Sequence, residues 1–290
     1  SMEDTPSLHE SRNHPFNDDL FLAEGPDGFD WDHGEKLLFE HVSDSEVIIR
    51  STGEYLLYAA DYSDLRGRDS EFIVMASSSD GRQWSERQKV PIAGLSAAKA
   101  TGPSVVELED GTLRMFYLAG PWPSELSTAD KGIHKILSAL SKDGGRTFTE
   151  EEGVRYQFRG ISDPEVIQRP DGLWIMYVAQ GEAALVASSK DGLEFEEAPV
   201  IIEEGGVPGA SFFNQGKGKK IRLYVSRPGG IQSQLSDGGI YFALDSGFRI
   251  AASPKAPIAS DPAAFPLPDG RWGMIFSRRA NRPIPEGTVY

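Results

Sequence analysis

Short apolar runs recur along the chain in a fixed order, each pair split by a turn: SEVIIR then YLLYAA near the start, AAFPL then RWGMIF near the end. Runs of this length, rich in branched and aromatic residues and bounded by Gly and Asp, read as β-strands. The turns inside the pairs are Thr52-Gly53, Asp110-Gly111, Asp171-Gly172, the stretch 216–218 and Asp269-Gly270. Asp-Gly between apolar runs signals a hairpin because glycine tolerates the positive φ such turns need. A second set of turns follows: Asp27-Gly28 before Trp31, Asp80-Gly81 before Trp84, Asp143-Gly144 before Phe148, Asp191-Gly192 before Phe195, and a degenerate Asp245-Ser246-Gly247-Phe248. These aspartates lie 53, 63, 48 and 54 residues apart. A period near 50 made of strands alone predicts an all-β, five-bladed β-propeller of four-stranded antiparallel blades. The first complete hairpin comes only after Asp27, and the last ends at Phe276. The N-terminal strands 20–24 and 36–40 are therefore expected to close the fifth blade. The chain divides into a flexible segment 1–17 and one propeller domain, 18–290.

In a meander of strands A to D, the start of A and the loop from B to C lie at one end of the blade. The A strands, nearest the axis in propellers, begin Asp44-Ser45-Glu46, Gly102-Pro103-Ser104, Asp163-Pro164-Glu165, Val207-Pro208-Gly209 and Asp261-Pro262-Ala263. Three blades thus aim an aspartate at one central funnel, where like charges would push pKa values apart as acid and base work requires. Alternatively, Asp-Pro simply starts a strand with a capped turn. The B-to-C loops bring Tyr62, Trp122, His134, Glu182, Arg227, Arg278, Arg279 and Arg282 to the same face. The arginines either hold an anionic group of a ligand or neutralise acidic neighbours on the rim. Trp122 is either a sugar-stacking platform or a packed anchor, and His134 either titrates near neutrality or is simply hydrogen-bonded. The Asp-Gly boxes sit on the opposite face and read as structural turns.

Composition narrows the function classes. A net charge of −15 argues against nucleic-acid or anionic-membrane partners, and no apolar run approaches a membrane span. The absence of cysteine excludes disulfides and thiolate metal sites. No cofactor fingerprint is present; the ligand of that kind the central aspartates would suit is a hard cation such as Ca²⁺. Ser1-Met2 reads as a trace of cloning, so cytoplasmic and secreted locations both stay open.

The repeats and the A-strand aspartates resemble the five-bladed propellers of the glycoside hydrolase family 43, 32 and 68 group, and the SKDGGRTF run is similar to the Asp boxes of sialidases. In family 43 a first-blade aspartate is the base, a third-blade aspartate tunes pKa and a fourth-blade glutamate is the acid. The resemblance places Asp44, in DSEVIIR, in the base role and Asp163, in SDPEVIQ, in the tuning role. The fourth blade departs from the pattern: EEGGVPGASFF has Gly206 where a glutamate is expected. Glu182 and the Glu203-Glu204 pair, with Glu204 nearest the departure, are the candidate acids. The resulting expectation is a glycosidase-like enzyme with catalytic Asp44, Asp163, Glu182 and Glu204. A small or anionic terminal sugar would be bound by Asp261, Trp122, His134, Arg227, Arg278, Arg279 and Tyr62. A non-catalytic carbohydrate-binding propeller is the alternative, and a metal-dependent reaction in the same funnel is the third reading.

Overall fold

The computed structural model describes residues 13–64, 70–122, 125, 132–215 and 218–285. Five sheets follow one another. Blade 1 comprises Val42–Ile49, Tyr55–Asp61, Phe72–Ser78 and Gln88–Lys89, and blade 3 comprises Ser162–Gln168, Trp174–Gln180, Ala183–Ser189 and Glu196–Ile202. Blade 2 is built on Thr101–Glu107, Leu113–Leu118, Ile133–Ser141 and Phe148–Glu150, and blade 4 on Pro208–Gln215, Gly218–Arg227, Gly230–Ser236 and Ala243–Leu244. Both exceed four strands: Ile92–Ala93 and Tyr156–Arg159 join blade 2, and Ile250–Ala251 joins blade 4. In blade 5, Ile258–Pro266 and Trp272–Arg279 are completed by the N-terminal strands Asp18–Gly25 and Lys36–Glu40, as the repeat phase predicts. Each innermost strand packs against the next, and that of blade 5 against that of blade 1, which closes the ring. Residues 216 and 217 of the predicted fourth hairpin turn lie outside the described residues, although Gln215 and Gly218 pair across it.

Every blade is covered on both faces by its neighbours, so second strands such as Tyr55–Asp61 are buried along their whole length. The boxes on the far face are structural. The Oδ1 of Asp80 accepts the amides of Arg82 and Gln83, and that of Asp191 those of Leu193 and Glu194. A tyrosine of an adjoining blade reaches three of the box regions: Tyr58 donates to the Gly145 carbonyl, Tyr224 to that of Gly28, and Tyr177 to that of Gly239.

The last of these contacts corrects the expected box of blade 4. Its turn between third and fourth strands is Ser236-Asp237-Gly238-Gly239, where the Gly239 amide donates to Ser236 Oγ as Gly81 does to Ser78. Asp245 lies beyond the fourth strand and accepts from Arg222 Nε at 3.0 Å and Ser233 Oγ at 2.7 Å. Two acidic turns eight residues apart compete for one structural role, and the strand that separates them is only Ala243–Leu244.

The innermost strands carry the feature that makes the site. Those of blades 1, 2, 3 and 5 each slip register near their start, at Ser43/Glu46, Thr101/Ser104, Ser162/Glu165 and Ser260/Ala263. Within each bulge one residue is left-handed: Asp44 at φ 58°, Gly102 at 60°, Asp163 at 49° and Asp261 at 54°. Glycine adopts this conformation freely, whereas a residue with a Cβ is strained by about 1–2 kcal/mol. Blade 4 pairs without a slip from Pro208 onward.

Candidate active site on the propeller axis

A bulge turns its extra residue away from the ladder, and here three of them turn carboxylates onto the axis. Oxygens of Asp44, Asp163 and Asp261 all lie within 4.8 Å of one another. With Gly102, Pro103, Pro164, Val207 and Pro208 they line a cavity of about 20 Å³, room for a water molecule or an ion but not for a sugar ring. A sugar can therefore meet these carboxylates only at the mouth of the cavity.

The three groups are not equivalent. Asp261 Oδ2 accepts from Ser43 Oγ at 2.8 Å, Ser277 Oγ at 3.0 Å, Ser260 Oγ at 3.3 Å and the Asp44 amide at 3.3 Å. Four donors on one oxygen hold the Asp261 side chain in place. Burial first, then the charges of Asp163, Asp261 and Asp18, push Asp44 well above the usual carboxylate range, against the hydrogen bond from Tyr62. Burial and the charge of Asp261 push Asp163 up to about 7. Tyr62 donates to Asp44 Oδ2 at 3.4 Å.

Three further carboxyls belong to this surround and were not singled out from sequence. Glu46 and Glu165 line the same cavity; burial, then the charge of Glu165, holds Glu46 well above the usual carboxylate range, and burial pushes Glu165 up to about 8. Position in the repeat held the signal, since both stand two residues after an axial aspartate. Asp18, 2 % exposed, enters from the N-terminal strand and is held by Arg279, whose Nε and Nη2 reach its two oxygens at 2.7 and 2.9 Å. No sequence signal pointed to it.

The arginines of the mouth are engaged. Arg279 binds Asp18, and Arg282 binds Asp19 through Nη2 at 3.2 Å. Arg278 donates to the His33 carbonyl and lies over the Phe276 ring, while Arg227 Nη1 donates to the carbonyls of Glu182 and Gly205. Trp122 is an anchor: its Nε1 donates to the Lys99 carbonyl, Lys99 Nζ sits 4.2 Å over its ring, and the indole packs on the core of blades 2 and 3. His134 lies in the third strand of blade 2 opposite Phe158, and its Nδ1 is buried with no partner among the described residues. Glu182, Glu203 and Glu204 are exposed and do not line the axial cavity. Gly206 is more than a missing glutamate: at φ 137° a Cβ there would meet the Ser226 carbonyl at 2.1 Å, so the backbone of blade 4 is shaped for glycine.

No protein-family profile matches the chain, and no curated protein sequence does. Solved structures do. Zg3597, a family 117 glycoside hydrolase of the marine bacterium Zobellia galactanivorans, superposes with a TM-score of 0.58 at 17% identity, covering 90% of each chain. A thermostable family-43 glycoside hydrolase gives 0.59 at 14% identity over 84% of this chain and 95% of that one. An endo-1,4-beta-xylanase from Bacteroides thetaiotaomicron gives 0.59 at 17% identity over 82% and 84%. The chain thus shares with these glycoside hydrolases the five-bladed β-propeller fold that its repeats resemble.

Proposed function

We propose that the protein is a glycosidase-like hydrolase that receives a small terminal sugar at the mouth of the axial cavity. The observation that carries this reading is the convergence of Asp44, Asp163 and Asp261 on strained, left-handed bulges where blade 2 uses an unstrained glycine. Strain retained at three equivalent positions to keep a carboxylate is a mark of function. Its match in fold to proteins described as glycoside hydrolases supports the same reading. Asp44 acts as the base that activates water, with Asp163 and Asp261 setting its proton affinity. The acid comes from Glu182 or Glu204, whose turns open on the mouth face and are tied together by Arg227. The engaged state of Arg227, Arg278 and Arg279 favours an uncharged sugar over an anionic one.

The test is a screen of nitrophenyl glycosides and short oligosaccharides, followed by the pH profile of kcat/KM. A base works only when ionised, so activity rises with pH through the raised pKa of Asp44. In Asp163→Asn a neighbouring negative charge is gone, the pKa of Asp44 falls, and the rising limb moves to lower pH. An unmoved limb removes Asp163 from the tuning role, and sugar binding without turnover leaves a carbohydrate-binding propeller instead.

The span of the three carboxylates favours one other reading. Oxygens within 4.8 Å of one another suit a hard cation coordinated at about 2.3–2.6 Å, and the all-oxygen donor set fits Ca²⁺. Such an ion would fix the site and supply positive charge at the mouth. Added Ca²⁺ then raises the thermal midpoint of the wild type and not of Asp44→Asn; equal midpoints with and without Ca²⁺ exclude it.

A further inference from the structure

Among the described residues four non-glycines hold a left-handed backbone: the three axial aspartates and His41, at φ 60°. Glycine would take that conformation without strain, and His41 does not line the axial cavity. We propose that His41 is a positioning residue: its ring grips the segment Pro15–Asn17, its backbone carries that hold to Tyr62, and the Tyr62 hydroxyl is thereby fixed against Asp44. The consequence for turnover rests on the hydrolase reading; the link from Phe16 to Tyr62 does not.

His41 stands at the joint that closes the ring. The last strand of blade 5 ends at Glu40 and the innermost strand of blade 1 begins at Val42, so one residue connects them. Its backbone N–H donates to Asp19 Oδ1 at 3.0 Å, and its carbonyl accepts the Tyr62 amide at 2.8 Å. Its ring stacks on that of Phe16, with centroids 3.8 Å apart and 20° between the planes, and Nδ1 meets the Phe16 carbonyl. A carbonyl only accepts, so Nδ1 is the ring nitrogen that donates.

Both ends of this link are anchored. Phe16 lies in the turn Pro15–Asn17, and Asn17 is fully buried, its Oδ1 taking Arg282 Nε at 3.2 Å and its carbonyl the Ala280 amide at 2.9 Å. At the other end, Val42 and Asp61 are the last pair of the ladder between the first two strands of blade 1. The bond from Tyr62 to His41 is one rung beyond it, where a ladder frays unless something holds it. Tyr62 in turn reaches Asp44 Oδ2 at 3.4 Å. A strained residue kept at a joint that glycine would fit calls for a role of its own, and the ring supplies one, since it is the part of His41 that glycine lacks and the part that meets Phe16.

The experiment breaks the link from either side. His41→Gly keeps the left-handed joint and removes the ring; Phe16→Ala removes the stacking partner and leaves the joint untouched. In each variant hydrogen exchange of the Tyr62 amide, read by mass spectrometry on the segment 61–64, quickens by about fivefold or more, the worth of one hold of hydrogen-bond size. An unchanged rate in either overturns the link. On the best nitrophenyl glycoside, each variant lowers kcat by about tenfold, as the loss of one hydrogen bond in the transition state would, with KM little changed. Added to Tyr62→Phe, neither lowers kcat further, because the effect runs through the missing hydroxyl. A loss of the same size with and without that hydroxyl makes His41 a general support of the fold and overturns its positioning role. A wild type that turns over no glycoside sinks the hydrolase reading alone, and the exchange rate at Tyr62 still decides the link.

Discussion

Asp44→Asn lowers kcat/KM by about 10²–10⁴-fold, the span general base catalysis supplies, without loss of the fold. Asparagine tolerates the left-handed backbone nearly as well as aspartate, so the bulge at φ 58° persists. The amide oxygen still accepts from Tyr62, and the Asp44 amide still donates to Asp261. What disappears is a group able to take a proton from water. Because the substitution also removes repulsion with Asp163 and Asp261, the unfolding midpoint stays level or rises. That combination, lost turnover with retained or raised stability, separates a catalytic carboxylate from a capping one. Nitrophenyl glycoside hydrolysis and thermal melting measured on the same preparation read both. Activity within about threefold of the wild type would take Asp44 out of the chemistry.

Arg279→Ala destabilises the protein by about 3–5 kcal/mol at neutral pH, because it leaves one member of a buried ion pair uncompensated. Asp18 is 2 % exposed, and Asp261 adds a like charge nearby. Burial already holds Asp18 above its ordinary range, although the hydrogen bond and charge of Arg279 pull it down. A carboxyl whose folded pKa exceeds its unfolded one binds its proton more tightly when folded, so its contribution to stability is retained at low pH and lost as pH rises between the two values. Removing Arg279 raises the folded value further, so the loss spreads over a wider pH range. Urea unfolding at neutral pH therefore shows the full destabilisation. Below the ordinary aspartate pKa of about 3.9, where Asp18 is protonated in both states, most of it vanishes. A loss that does not change with pH would assign the effect to lost packing of the arginine stem instead.

The strands, their grouping into five blades and the closure of the last blade by the N-terminus were legible because each depends on local rules: period-two patterning, turn residues, and the phase of a repeat. The same rules placed Asp44, Asp163 and Asp261 at equivalent strand starts, and a ring brings equivalent positions together on its axis. Tyr62 was legible for the same reason, being the residue just past the second strand of blade 1.

Other assignments needed the closed ring. Nothing in spacing reveals that Arg279 meets Asp18, 261 residues away, and that pairing turns a candidate anion binder into a structural partner. Trp122 was ambiguous until its indole proved to be covered by Lys99 and the core of blades 2 and 3. The acid box of blade 4 was misplaced because Asp237 and Asp245 look alike in sequence, and only the two-residue strand between them tells turn from ion pair. Chain patterning thus determined where each carboxylate stands in its own blade, since that is a matter of neighbours along the backbone. Which charges neutralise or repel one another was decided by tertiary structure, because electrostatic partners are set by distance in space and by the solvent that packing excludes.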